Sequence, residues 1–298
     1  RFANVADMGP SPPIPANRRA DLGMMYYHTH QAWRLADEVL GQGLDFQLPI
    51  DIVGYSANPT SWLGPFSTGW NAGRDPHIRI DAADSPKDSL DRPDNREWHE
   101  FGHHIHADTC GNLLPGNNLP HPGDVNHGGY GNPSTTDSFV EGFAEFYSVL
   151  VAALVEHDPW PQLYDSSTTL FGKDVEINDL AWTTEEFAVA GLLLDLVDPE
   201  DMRDATLMNE TTYADCVEMR LEELWTILET DWDDVVPRGP AATADGYTYL
   251  SDVKHLYDVL KINRIGSDHS RGRELDDLDE LFIAHGFFAD VQPPYRAY

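Results

Sequence analysis

The sequence is poor in basic residues, and lysine is especially scarce. Four lysines and 15 arginines oppose 51 acidic residues, which gives a formal net charge of −32 at pH 7. A surface of this sign repels DNA, RNA and anionic lipid, so no nucleic-acid partner is expected. Because the acids are spread along the chain and 34 of them are Asp, we interpret the acidity as adaptation to high salt. An ordinary acidic secreted protein is the alternative.

Cysteine and long apolar runs are also nearly lacking. Cys110 and Cys216 belong to no C-x-x-C pair, so a Cys-type zinc site is not supported. They form either one disulfide in an oxidising compartment or two buried thiols. The longest apolar stretch, residues 149–155, is far shorter than the roughly 18 residues that a membrane span needs. No signal peptide is recognisable, so we expect a processed mature form or a fragment of a larger protein. The expected location is extracellular or on the cell surface, in a high-salt environment, with the chain as part of a larger surface protein or assembly.

The hydrophobic pattern predicts strands and a helix first, followed mostly by helices. Residues 1–20 are rich in Pro and predict an extended arm or linker, whereas residues 21–298 predict one domain. Strands are predicted at residues 48–55 and 77–81. Helices are predicted at residues 21–40, 92–108, 137–156, 180–198, 212–230, 248–262 and 274–286. This order favours an α+β fold, with a small sheet in an N-terminal lobe (about 21–108) and a mainly helical C-terminal lobe (about 137–298).

One predicted helix carries the motif His99-Glu100-Phe101-Gly102-His103. The i, i+4 spacing places His99 and His103 on one helix face, close enough for both imidazoles to reach one metal ion. Glu100 lies about 100° further around the helix, where it can reach a metal-bound water without ligating the metal. The pattern H-E-x-x-H therefore predicts two zinc ligands and a general base.

A second helix supplies the next candidates, in the segment Glu141-Gly142-Phe143-Ala144-Glu145. The motif followed by this helix resembles the gluzincins, zincin metallopeptidases whose third zinc ligand is a Glu on a second helix. The resemblance implies a zincin-like fold, one catalytic Zn²⁺ bound by His99, His103 and Glu141, and a Glu145 that orients His99. A carboxylate that accepts a hydrogen bond from a ligating His fixes its tautomer, which agrees with that role.

The chain departs from the thermolysin-like and M1-aminopeptidase-like gluzincins in its spacing. His103 and Glu141 are 38 residues apart, more than in those families, and the extra length is a Gly-, Asn- and Pro-rich loop at residues 109–136. Loop-closure entropy grows slowly with length, so such an insertion is tolerated. Glu145, or His121 or His127 in the loop, is the alternative third ligand. The metzincin pattern is rejected, because it requires Gly at position 106 and His at position 109, where this chain has His and Thr.

The predicted reaction is hydrolysis of a peptide bond in a protein or peptide substrate. The metal activates a water, and Glu100 takes its proton and passes it to the leaving amine. A Tyr or His is expected to stabilise the oxyanion, as the resemblance implies, and a partly buried aromatic is the competing interpretation of each candidate. Our catalytic candidates are Tyr249 and His255, with Tyr130, Tyr247 and Tyr257 as further ones.

Two other functions remain open from the sequence. A non-enzymatic cell-surface or envelope module could retain a zincin fold and its metal site, and a metal-dependent hydrolase could act on a non-peptide bond.

Asp-rich pieces such as residues 231–234 offer oxygen ligands for Ca²⁺, but none matches an EF-hand loop, so a solvated acidic surface is favoured there.

Overall fold

The fold consists largely of helices in the part of the chain that the structure describes. That part of the computed structural model comprises residues 19–41, 50–53, 61–63, 77–81, 96–109, 135–155, 162–163, 173–174, 186–197, 217, 219–231, 241–242, 248–249, 252–263, 265, 277–285 and 287. The chain divides into two compact units, Arg1–His106 with Tyr147–Gly172, and Ala107–Phe146 with Lys173–Tyr298.

Seven α-helices lie in the described part, and three of them continue directly into a five-residue π-helical segment. The helices are α1 (Arg19–Arg34), α2 (Arg96–Thr109), α3 (Thr135–Leu150), α4 (Glu186–Val197), α5 (Leu221–Thr226), α6 (Asp252–Ile262) and α7 (Asp277–Ala284). The π segments are π1 (Leu35–Val39) after α1, π2 (Val151–Val155) after α3 and π3 (Ile227–Asp231) after α5.

Seven short strands form three small groups. The strands are β1 (Ile50–Val53), β2 (Ser61–Leu63), β3 (His77–Asp81), β4 (Gln162–Leu163), β5 (Lys173–Asp174), β6 (Ala241–Ala242) and β7 (Thr248–Tyr249). In the largest group the strand order is β1-β3-β2, with β1 parallel and β2 antiparallel to the central β3. Among the side chains of this sheet burial is described for Ile78 alone, which is fully buried.

The first unit is built around α1. Ala32, Leu35 and Ala36 are fully buried, because α1 and π1 direct their small and apolar residues to one side. The ring of Phe101 from α2 stacks on Tyr147 from α3, with ring centroids 6.2 Å apart. Full burial of each large side chain contributes about 1.5–3 kcal/mol to stability. The two metal-motif helices therefore have a hydrophobic anchor in this unit.

The second unit has α4 at its centre. This helix is apolar on almost every side, which is typical of a helix buried all round. Its buried apolar residues are Ala188, Val189, Ala190, Leu192, Leu193, Leu194 and Leu196. The ring of Phe143 from α3 lies 5.9 Å from that of Trp225 from α5. Asp195 of α4 bonds through Oδ2 to Nε2 of His285, 2.7 Å away just after α7.

A glycine next to Glu141 permits a close approach between two helices of this unit. A Cβ atom added to Gly142 of α3 would lie 2.4 Å from the carbonyl oxygen of Glu186 and 2.6 Å from Cβ of Val189, both in α4. Real Cβ atoms do not come so close to backbone atoms. Glycine in a helix interior is about 1 kcal/mol less favourable than alanine, so the packing of α3 on α4 outweighs the intrinsic preference of this position.

We expect Gly142→Ala to lower the free energy of unfolding by about 1–3 kcal/mol, because the methyl group overpacks a closed helix contact. Helix propensity alone predicts the opposite sign, a gain of about 1 kcal/mol. Urea unfolding followed by circular dichroism measures the difference. A variant that is as stable as the wild type, or more stable, would show that the α3–α4 contact is looser than described.

The helix predictions are confirmed in position, but two predicted starts are wrong. The helix predicted at 212–230 begins at Leu221, after the non-helical residues 219 and 220. The helix predicted at 248–262 begins at Asp252, because Thr248–Tyr249 form β7. None of the described helices is long and apolar enough to cross a membrane. The predicted α+β class and zincin-like fold go beyond what the described helices establish and stay predictions, as do the domain bounds. The arm at residues 1–18, most of the loop at 109–136, Cys110 and Cys216 lie outside the described residues.

Candidate metal centre

The two histidines of the motif lie side by side on α2. The ring centroids of His99 and His103 are 4.5 Å apart, and the ring planes are nearly perpendicular at 88°. His103 is buried with 7 % of its surface exposed, while His99 and Glu100 are half-buried. This pairing follows from the i, i+4 spacing on a helix, so the two histidines of the predicted site lie together as the motif indicates.

Glu141 of α3 completes a group of three potential metal ligands. One ligand atom from each of His99, His103 and Glu141 lies within 4.8 Å of the other two. In a tetrahedral zinc site with bonds of about 2.0–2.1 Å, ligand atoms are about 3.4 Å apart. The three side chains therefore fit a zinc ion after shifts of at most about 1.5 Å. Among the residues that the structure describes, this is the one group of three or more His, Cys, Asp or Glu that meets this distance test.

The two glutamates of α3 are buried. Glu141 and Glu145 retain only 8 % and 4 % of their surface, because residues 139–150 of α3 are all buried. A buried carboxylate is strongly disfavoured unless it is paired, hydrogen-bonded or bound to a metal. Glu145 lies one turn after Glu141, on the same face of the helix.

The other histidines of α2 are kept neutral. Burial lowers the pKa of His104 from 6.5 to about 4. Burial, followed by the nearby charge of His103, lowers the pKa of His106 to about 3. A neutral imidazole at pH 7 adds no positive charge that would repel a cation at His103. The electrostatic surroundings of His99 and His103 on α2 are therefore compatible with metal binding.

A buried pair next to the motif was not predicted from the sequence. Nδ1 of His28 in α1 lies 3.6 Å from Oε2 of Glu97 in α2, and the two side chains are 4 % and 1 % exposed. This distance is too long for a direct hydrogen bond. No local pattern singles out His28, because the two residues are brought together only by the packing of α1 on α2.

The remaining predicted residues do not gain a defined role. His255 lies on α6 and is 8 % exposed, and Tyr249 lies in β7, where its side chain is not described. The hydroxyl of Tyr257 donates a hydrogen bond to Asp279 of α7, so this phenol is engaged within the second unit. The candidates His121, His127, Tyr130 and Tyr247 lie outside the described residues. The oxyanion donor therefore stays a prediction.

Comparisons with protein-family models, with curated proteins and with solved structures give no match. The chemistry and positions of the residues themselves therefore carry the functional argument.

Proposed function

We propose that this chain is a zinc-dependent metallopeptidase of the gluzincin type. The observation that carries the proposal is the meeting of His99, His103 and Glu141, whose ligand atoms lie within 4.8 Å of one another. They come from two helices, and 38 residues separate His103 from Glu141. Their grouping is therefore a property of the tertiary structure rather than of one short motif.

The donor set favours zinc. Two imidazoles and one carboxylate are typical of catalytic zinc sites, which keep a fourth position open for water or substrate. When bound, zinc would lower the pKa of a coordinated water to near 7 and polarise a substrate carbonyl. Ca²⁺ and Mg²⁺ prefer sites made entirely of oxygen ligands, which this group is not.

Glu100 is the general base in this proposal. Glu100 follows His99 on the helix, about 100° further around it, and is half-buried, so it lies next to the ligand face without being part of it. Glu100 takes a proton from the attacking water and delivers it to the leaving amine. The part of Glu145 is to accept a hydrogen bond from His99 and so hold its ring in the ligating orientation.

The proposal extends to the fold and the setting. We assign the chain a zincin-like α+β fold, because the motif helix α2 is preceded in sequence by short strands and followed by mostly helical elements. The net charge of −32 supports a high-salt extracellular or cell-surface environment with protein or peptide substrates.

Chelation tests the proposed function. The purified chain is expected to contain one zinc per molecule, to degrade an unfolded protein substrate, to lose that activity in a strong chelator and to regain it with stoichiometric zinc. A magnesium-only reconstitution is the control and is expected to stay inactive. Activity that survives complete zinc removal would refute the proposal, and zinc binding without hydrolysis would favour the non-enzymatic surface module.

A further inference from the structure

Two side chains on the metal-motif helices donate hydrogen bonds to the backbone of α1. Nε1 of Trp98, beside His99 in α2, donates to the carbonyl oxygen of His28 at 2.8 Å. The hydroxyl of Tyr147 in α3 donates to the carbonyl oxygen of Ala32 at 2.6 Å. The two acceptors are one turn apart on the same face of α1. This face therefore receives α2 and α3 at adjacent positions.

The phenol of Tyr147 meets the backbone of α1 near the end of this helix. Its hydroxyl donates to the carbonyl oxygen of Ala32, three residues before π1 begins at Leu35. Within π1 the N–H of Leu40 donates to the carbonyl of Leu35 at 2.9 Å.

The phenol of Tyr147 stays protonated at neutral pH. Burial raises the pKa of Tyr147 well above its ordinary value, and the Ala36 hydrogen bond only partly opposes this effect. Tyr147 is fully buried, and its hydroxyl keeps the proton that it donates to Ala32. The contact is directional, whereas apolar contacts between helices tolerate repacking.

We propose that α1 acts as a template that positions both metal-binding helices, with Trp98 and Tyr147 as its two positioning residues. This inference rests on the proposed zinc site. Trp98 is adjacent to His99, and Tyr147 is six residues after Glu141, about 9 Å further along α3. The stacked rings of Phe101 and Tyr147 hold α2 and α3 together between these two hydrogen bonds. A shift or rotation of either helix would move a ligand by more than coordination geometry tolerates.

The test compares zinc affinity in Trp98→Phe and Tyr147→Phe, which keep an aromatic ring but lose the donor. Zinc dissociation constants come from chelator competition, and the visible spectrum of the Co²⁺-loaded protein reports ligand geometry. Each variant is expected to bind zinc about 10-fold more weakly, the lower end of the effect of losing groups that orient ligands, and to show an altered Co²⁺ spectrum.

Thr226→Val is the matched control, because it also removes a hydroxyl that donates a hydrogen bond to a backbone carbonyl, here that of Glu222 in α5. Its zinc affinity and Co²⁺ spectrum are expected to be those of the wild type. If Trp98→Phe and Tyr147→Phe also match the wild type, the template role is refuted while the metal site stands. If both variants fail to fold, these residues serve core stability rather than positioning, which also refutes the inference. A wild-type chain that binds no zinc refutes the proposed function itself.

Discussion

Replacing Glu100 with Gln is expected to lower peptidase activity by about 10³-fold or more while zinc stays bound. A positioned general base contributes about 10²–10⁴-fold to a rate, and the amide of Gln has a similar shape but accepts no proton. His99, His103 and Glu141 are unchanged, so zinc content is expected to match the wild type. Activity per bound zinc, measured on the same unfolded protein substrate, separates loss of the base from loss of the metal.

Glu222→Gln is the matched control for this experiment. Glu222 is exposed on α5 and has no part in the proposed reaction, so the same change of a carboxylate to an amide is expected to leave activity intact. If Glu100→Gln retained wild-type activity with zinc bound, another group would have to take the proton, and the assignment of Glu100 would be wrong.

Replacing Glu141 with Gln is expected to weaken zinc binding by more than about 100-fold. Loss of a group that merely orients a ligand weakens metal binding by about 10–100-fold, and loss of a ligand that carries the negative charge exceeds that range.

Glu145→Gln, one turn later on the same helix, shows which glutamate binds the metal and which one only orients a ligand. It is expected to weaken zinc binding by about 10–100-fold, less than Glu141→Gln does. If the order of the two effects were reversed, Glu145 would be the third ligand. If Glu141→Gln bound zinc as tightly as the wild type, a histidine of the loop, His121 or His127, would become the leading alternative.

The parts of this site that depend on local geometry are predictable from the sequence. The spacing of His99 and His103 fixes their common face once α2 is a helix, and the apolar periodicity places α2 and α3 to within a few residues. The grouping with Glu141 depends on tertiary packing, and only the resemblance of the E-G-F-A-E segment to gluzincins indicated it.

The contacts that hold the helices in place were not predictable. Trp98 and its acceptor His28 are 70 residues apart, and Tyr147 and Ala32 are 115 apart. Each pair joins a side chain to a backbone carbonyl, and a carbonyl is present at every position and so leaves no sequence signal. The buried tyrosine and tryptophan hint only that some partner exists.

The π segments escape prediction for a related reason. The carbonyl of Ala32, three residues before π1, accepts a hydrogen bond from the Tyr147 hydroxyl, and the sequence of Leu35–Val39 gives no sign of this tertiary contact. Gly142 likewise reads in the sequence as a weak point of a helix, and only the approach of Glu186 and Val189 explains it.

An anomalous difference map at the zinc absorption edge, from crystals of the chain grown with zinc, tests the central claim most directly. The account predicts one peak at about 2.0–2.2 Å from a ring nitrogen of His99, a ring nitrogen of His103 and a carboxylate oxygen of Glu141. Well-ordered α2 and α3 with no peak between these residues, or a zinc ion bound by other residues, would contradict it.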